Sequence, residues 1–168
     1  MEQRAFQEEL AAIGFEHCWG CGVANEHGLR IKSYWSPDDE QEAICVWQPQ
    51  PYHVAAPGIV SGGIIATLID CHAAATAVAS AYRAEGRPIS VENPHVYVTA
   101  QLDVTYLRAT PSAGPLTIRA RVVETGGRRS HVTCSLYAAS GEECARGDVI
   151  LARAGSRWSG ARSDAAER

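Results

Sequence analysis

Lysine is almost absent from this chain: Lys32 stands alone among fifteen basic residues, the rest being arginine. Nor is there a basic surplus, since nineteen acidic residues bring the formal net charge to −4, spread along the sequence. A general nucleic-acid binder needs a concentrated basic face, so no nucleic-acid partner is expected. The opening stretch MEQRAFQEELAAIGFEH lacks the apolar run of an export signal. The six cysteines lack the regular spacing of a disulfide framework, and reduced thiols in a cytoplasmic protein are expected. The chain has one Cys-x-x-Cys, Cys18-Trp19-Gly20-Cys21, and no second. Gly22 follows where c-type haem attachment would need His. One such pair rarely makes a structural zinc site, so a packed loop of buried thiols is expected, with no metal and no cofactor. A G-x-S-x-G nucleophile elbow is absent too.

What is present suits one α+β domain. A length of 168 residues is enough to bury a core, and 46% apolar with 20% charged residues is an ordinary globular profile. Residues 3–13 place Phe6, Leu10 and Ile13 on one helical side. Residues 29–35 alternate as a half-buried strand, and 42–48 form a second, across the turn residues Ser36-Pro37-Asp38-Asp39. Residues 59–81, IVSGGIIATLIDCHAAATAVASA, form the longest apolar run, long enough for a membrane span. Asp70 and His72 at its middle favour a buried core helix from about Ser61 to Arg83, and no membrane partner is expected. Residues 96–107 then alternate with period two, Val96, Val98, Ala100, Leu102, Val104 and Tyr106 against Tyr97, Thr99, Gln101, Asp103 and Thr105. Strands over 115–124, 129–138 and 143–153 follow, joined at Gly126-Gly127 and Ser140-Gly141. The expected domain covers 1–154, with a short N-terminal helix and Cys-rich loop in 1–28, and a flexible polar tail over 155–168. An antiparallel sheet of about five to six strands wraps the one long helix, and its exposed edges favour self-association.

The chemistry concentrates on that helix. Its first turn offers free backbone N–H groups and the positive end of the dipole. Gly62 and Gly63 leave no side chain to keep a carbonyl from those amides, an oxyanion-hole arrangement that equally suits close packing. Ser61 sits at the N-cap and could touch substrate. Asp70, between Ile69 and Cys71, is a carboxylate in the most apolar segment. Such a group needs a partner or a purpose, and a raised pKa suits it to general-base or nucleophilic work. Gly62 and Asp70 are eight residues apart, about 12 Å along one helix. One carbonyl cannot meet both, so joint action requires the amide of one subunit and the carboxylate of another. His72, two positions from Asp70, points away from it and reads as a packed or interface histidine. His53 precedes the helix and could line a pocket, with a surface or hydrogen-bonded histidine the default. Arg108, Arg128 and Arg129 lie at strand ends or turns and could hold phosphates, with solvated charge the default for each.

The run PGIVSGGIIATLIDCHAAATA resembles the signature of the PaaI-type hot-dog-fold thioesterases: a His-Gly-Gly start to the central helix and an acidic residue nine positions after the His. Ser61-Gly62-Gly63 and Asp70 fall on those positions, with Ser61 replacing His. Cys18-Trp19-Gly20-Cys21-Gly22 with Asn25 and Gly28-Leu29 resembles a Cys-rich opening of some members, and VTAQLDVTYLRAT the strand after the helix. The resemblance spans about 17–153. It implies a hot-dog fold, a homodimer often paired into a homotetramer, and hydrolysis of acyl-CoA thioesters. It also implies Gly62 as amide donor, Asp70 from the facing subunit as base or nucleophile, and Thr99 as a hydroxyl that positions water. Two rivals stand beside it. One is a non-catalytic hot-dog domain binding an acyl-CoA as sensor or scaffold, which Ser61 favours. The other is a hydratase-type enzyme, echoed faintly by Asn93-Pro94-His95.

Overall fold

The structure is a computed structural model that describes residues 3–155; the tail expected from 155 onward lies, beyond that residue, outside the described residues. In chain order the elements are α1 (Phe6–Leu10), β1 (Tyr34–Trp35), β2 (Glu42–Trp47), β3 (Val54–Ala56), β4 (Ile59–Val60), α2 (Gly62–Ala84), β5 (Tyr97–Tyr106), β6 (Leu116–Gly126), β7 (Arg129–Tyr137) and β8 (Glu143–Arg153). Six strands form one antiparallel sheet in the order β1-β2-β6-β7-β8-β5, and β3 and β4 form a separate hairpin. The sheet curves around α2, which packs on β5, β6, β7 and β8: this is a hot-dog fold.

α2 is apolar enough to bury nearly all round. Leu68 and Ile69 are fully enclosed, and burial of each contributes roughly 2 to 3 kcal/mol. Among the described residues α2 is the helix long and apolar enough to cross a bilayer, yet here the sheet and the N-terminal segment bury 61% of its most apolar stretch. Gly147 on β8 lets helix and sheet meet, because a Cβ there would lie 2.3 Å from Ile69 Cγ2.

Residues 5–33 pack against α2 outside the sheet. Phe6, Leu10 and Ile13 are buried as their spacing predicts, although α1 is one turn and a half and passes into a 3-10 turn over Ala11–Ile13. The strand expected over 29–35 is ladder-paired only at Tyr34 and Trp35. The in-out alternation of Leu29 to Ser33 survives, but the backbone there is spent elsewhere. Leu29 and Ile31 N–H donate to Trp19 and Gly20 carbonyls, Ser33 carbonyl accepts from Phe6 N–H, and Arg30 takes φ 54°. Residues 49–58 hold a 3-10 turn at Pro51–His53 and the strand β3.

His72 ties the two layers together. It is fully buried, with Nδ1 2.8 Å from Ser33 Oγ and Nε2 3.3 Å from Ala43 O. Gln7 Nε2 donates to Ser33 Oγ at 2.9 Å, and Ser33 N–H donates to Gln7 Oε1 at 2.7 Å. Neutral imidazole fits this network: Nε2–H donates to the carbonyl and Nδ1 accepts the hydroxyl proton. Burial pushes the His72 pKa down to about 4. The unfolded chain therefore binds a proton near pH 6.5 that the fold refuses. The contribution to stability is complete above pH 6.5 and is lost as pH falls toward 4, amounting to about 3 kcal/mol. Urea unfolding at pH 7 and pH 4.5, with NMR titration of the His72 ring, checks this; a ring midpoint near 6.5 would contradict it.

Candidate active site

β5 shows how the site is assembled. Strict alternation puts Thr99 opposite Leu102 and Val104, but the pairing of β5 with β8 shifts register between Thr99 and Gln101. This bulge inserts one extra residue, so Tyr97 and Thr99 face α2 before it, and Leu102 and Val104 pack against the core after it. The result is a direct bond: Thr99 Oγ1 donates to Asp70 Oδ1 at 2.6 Å. Asp70 is half-buried. Burial raises its pKa, the Thr99 hydrogen bond works in the opposite direction, and negative charge at Cys18 adds to the rise.

Both residues line a cavity of about 210 Å³ whose walls include Leu10, Phe15, Ala74 and Val78. The pocket is apolar along α1 and α2 and has a carboxylate and a hydroxyl converging on it. That composition suits an apolar ligand with a polar end at Asp70.

The first turn of α2 is built differently. Ser61 holds the N-cap position in extended backbone, but among the described residues its hydroxyl makes no capping bond. Ser61 is thus an N-cap by position only, and the expected side-chain cap is absent. Tyr106 closes over this turn, its hydroxyl donating to the Gly62 carbonyl at 2.7 Å. Gly63 is exposed. Unbroken helix separates Gly62 from Asp70, so the 12 Å separation argued from rise per residue holds within the chain.

The remaining candidates are scattered. His53 is buried in the 3-10 turn, stacked 4.9 Å from the Trp47 ring, and its Nδ1 accepts from Gln50 N–H at 2.9 Å. It braces the chain before α2, where its carbonyl accepts from Ser61 N–H, and it is not among the residues lining the Asp70 cavity. Arg108 follows β5 and pairs with Glu142 at 2.6 Å, at the opposite end of β5 from Thr99. Arg128 and Arg129 are exposed at the β6–β7 turn. Ala152 pairs with both Arg129 and Val98, which puts Arg129 two strands, about 10 Å, from the Thr99 end of β5. His95, the hydratase echo, bonds Glu85 at 2.8 Å beside the last turns of α2, more than three turns from Asp70.

One neighbour of Asp70 escaped the sequence reading. Cys71, on the same helix, meets the Cys18–Cys21 loop: the three sulfurs all lie within 4.8 Å of one another, with Cys18 Sγ 3.9 Å from Cys71 Sγ. Gly20 permits the approach, since a Cβ there would lie 2.4 Å from Cys71 Sγ and 2.9 Å from Thr67 Cγ2. Sulfur hydrogen bonds from Cys21 and Cys71 hold the Cys18 thiol well below its ordinary pKa. The same sharing pushes Cys21 up to about 12 and Cys71 well above the usual thiol value. Spacing alone pointed to the Cys-x-x-Cys pair; only the fold brings in the third cysteine, 50 residues further on.

Comparison with known proteins points one way. The family description Thioesterase superfamily matches residues 57–145, which include Gly62, Asp70 and Thr99. A thioesterase superfamily protein of Shewanella loihica PV-4 is 33% identical, with a TM-score of 0.60 over 79% of this chain and 98% of that one. The acyl-coenzyme A thioesterase THEM4 of Xenopus laevis is 29% identical over 137 residues, 80% of this chain and 49% of its own length. The chain thus spans about half the length of the curated relatives it matches. The smu.793 protein of Streptococcus mutans UA159, solved bound to acetyl CoA, is 20% identical with a TM-score of 0.55, covering 68% of this chain and 82% of that one.

Proposed function

Since the chain belongs to the thioesterase superfamily, we propose that it hydrolyses the thioester of an acyl- or aryl-coenzyme A, in a site completed by two subunits. The observation that carries the proposal is Asp70 held by Thr99 on an apolar cavity. The THEM4 relatives are acyl-coenzyme A thioesterases and the Streptococcus mutans protein binds acetyl CoA, which agrees with the same ligand class here. A cavity of about 150 Å³ is enough to bind benzene, so the 210 Å³ present accommodates a short acyl or aryl group.

In this mechanism the Thr99 hydroxyl occupies one Asp70 oxygen and the other accepts a proton from water. The water oxygen attacks the thioester carbon. The carbonyl oxygen takes up negative charge facing the Gly62 N–H of the facing subunit. Collapse breaks the carbon–sulfur bond, and the proton held by Asp70 passes to the departing thiolate. Arg128 and Arg129, exposed toward the Thr99 end of the sheet, would meet the coenzyme phosphates in this reading, whereas Arg108 is engaged by Glu142. Ser61, smaller than the His of the family signature, widens the approach to the first turn.

Release of free thiol from a panel of acyl- and aryl-CoA thioesters tests the proposal. Turnover of at least one member supports it. Saturable binding of every member without thiol release overturns it in favour of a sensor.

Thr99 gives a pH test. Asp70 must be ionised to act, so activity is present above its raised pKa and falls as pH drops through it. The Thr99 bond lowers that pKa, so Thr99→Val moves the acid limb of the kcat/KM profile to higher pH. An unmoved limb would remove Thr99 from the electrostatics of the site.

A further inference from the structure

The cluster of Cys18, Cys21 and Cys71 is not used by the proposed hydrolysis. We propose that these three sulfurs form a binding site for a thiophilic divalent cation, Zn²⁺, whose fourth coordination position opens on the cavity that Asp70 lines. Tetrahedral zinc holds thiolates at about 2.3 Å, so two of its sulfurs stand about 3.8 Å apart. Cys18 and Cys71 stand at 3.9 Å, and Cys21 completes a triangle with no side beyond 4.8 Å. A disulfide needs sulfurs at about 2.05 Å, and three cysteines cannot all pair. The structure therefore holds the spacing of a metal-binding triad more closely than that of a cystine.

The surroundings are built for this approach. Two ligands come from a four-residue turn and the third from a rigid helix, the mixed origin that fixes a site against both elements. Gly20 is the contact point, where any side chain would strike Cys71 or Thr67. At Gly22 a Cβ would lie 2.4 Å from Cys18 N and 2.5 Å from Glu16 O, so the turn closes on itself only with glycine. Cys18, Cys21 and Cys71 share the cavity lining with Asp70 and Thr99, so the open position faces space rather than packed core. Binding exchanges thiol protons for one cation: Zn²⁺, the Cys18 thiolate and the two thiols give a tris-thiolate unit of charge −1 and two released protons.

The test uses the whole protein. Chain purified in reductant without chelator should carry about one zinc by elemental analysis. Metal-stripped chain titrated with Co²⁺ should show sulfur-to-cobalt charge-transfer absorption and the visible bands of tetrahedral cobalt. Cys18→Ser and Cys71→Ser should each weaken zinc binding at least about a hundredfold, the upper end of what loss of an outer-sphere partner costs. Cys45→Ala, a buried thiol outside the cluster, should leave it intact. Folded wild-type chain without stoichiometric zinc and without charge-transfer absorption on Co²⁺ addition would overturn the proposal, whatever the variants do. So would a charge-transfer band that survives Cys71→Ser. Neither readout involves thioester cleavage, so failure here leaves the hydrolase reading standing, and the converse holds.

Discussion

Asp70→Asn is expected to lower kcat for thioester cleavage by about 10³-fold or more while leaving substrate affinity within a few-fold, since loss of a positioned base forfeits about 10² to 10⁴ in rate. The substitution keeps the side chain's size and lets Thr99 Oγ1 donate to an amide oxygen as it does now to Oδ1. What it removes is the charge. Burial disfavours that charge in the folded protein, as the raised pKa records, so the neutral variant should melt at the same temperature as the wild type or higher. Lost activity with retained or increased Tm separates a group held for chemistry from one held for structure. A Tm several degrees lower with kcat unchanged would instead make Asp70 a structural anchor for β5, and the proposed reaction would lose its base.

The legibility of the fold varied with how local each signal was. The 59–81 run announced α2 because nothing else makes so long an apolar stretch around a carboxylate. β6, β7 and β8 followed from alternation and from Gly127 and Gly141, whose positive φ suits hairpin turns. The 29–33 segment misled because burial alternates there as in a strand, while its hydrogen bonds go to the Cys-rich loop and α1. Periodicity reports which side chains are buried, not where the backbone finds partners. Thr99 shows the same limit at the site itself. No residue pattern marks the bulge that turns it inward, and strict alternation assigns it to the face opposite Leu102. The thiol triad was invisible for a related reason: Cys18 and Cys71 are brought together by a loop laid across a helix, a contact of long sequence separation.

The proposed two-subunit site predicts a result that a self-contained subunit cannot give. Gly62→Pro removes one group, the backbone N–H proposed to polarise the carbonyl. Proline is well tolerated at the first helical position, and Ser61 before it already has the extended backbone (φ −60°, ψ 135°) that a residue preceding proline adopts. The added ring meets Tyr106 at ordinary contact distance, a Cβ at Gly62 lying 3.4 Å from its ring. Loss of one oxyanion donor should cost about 10² to 10³ in kcat. Gly62→Pro and Asp70→Asn chains are then each nearly inactive alone. Unfolded together and refolded as a 1:1 mixture, half of the dimers are mixed. In a two-fold dimer whose sites pair the amide of one subunit with the carboxylate of the other, each mixed dimer has one site carrying both lesions and one carrying neither, so about a quarter of wild-type activity returns. If amide and carboxylate served the same site within one chain, every site in the mixture would carry a lesion and no activity would return. A mixture as inactive as its parents, with mixed dimers demonstrated by differential tagging, would sink the two-subunit site.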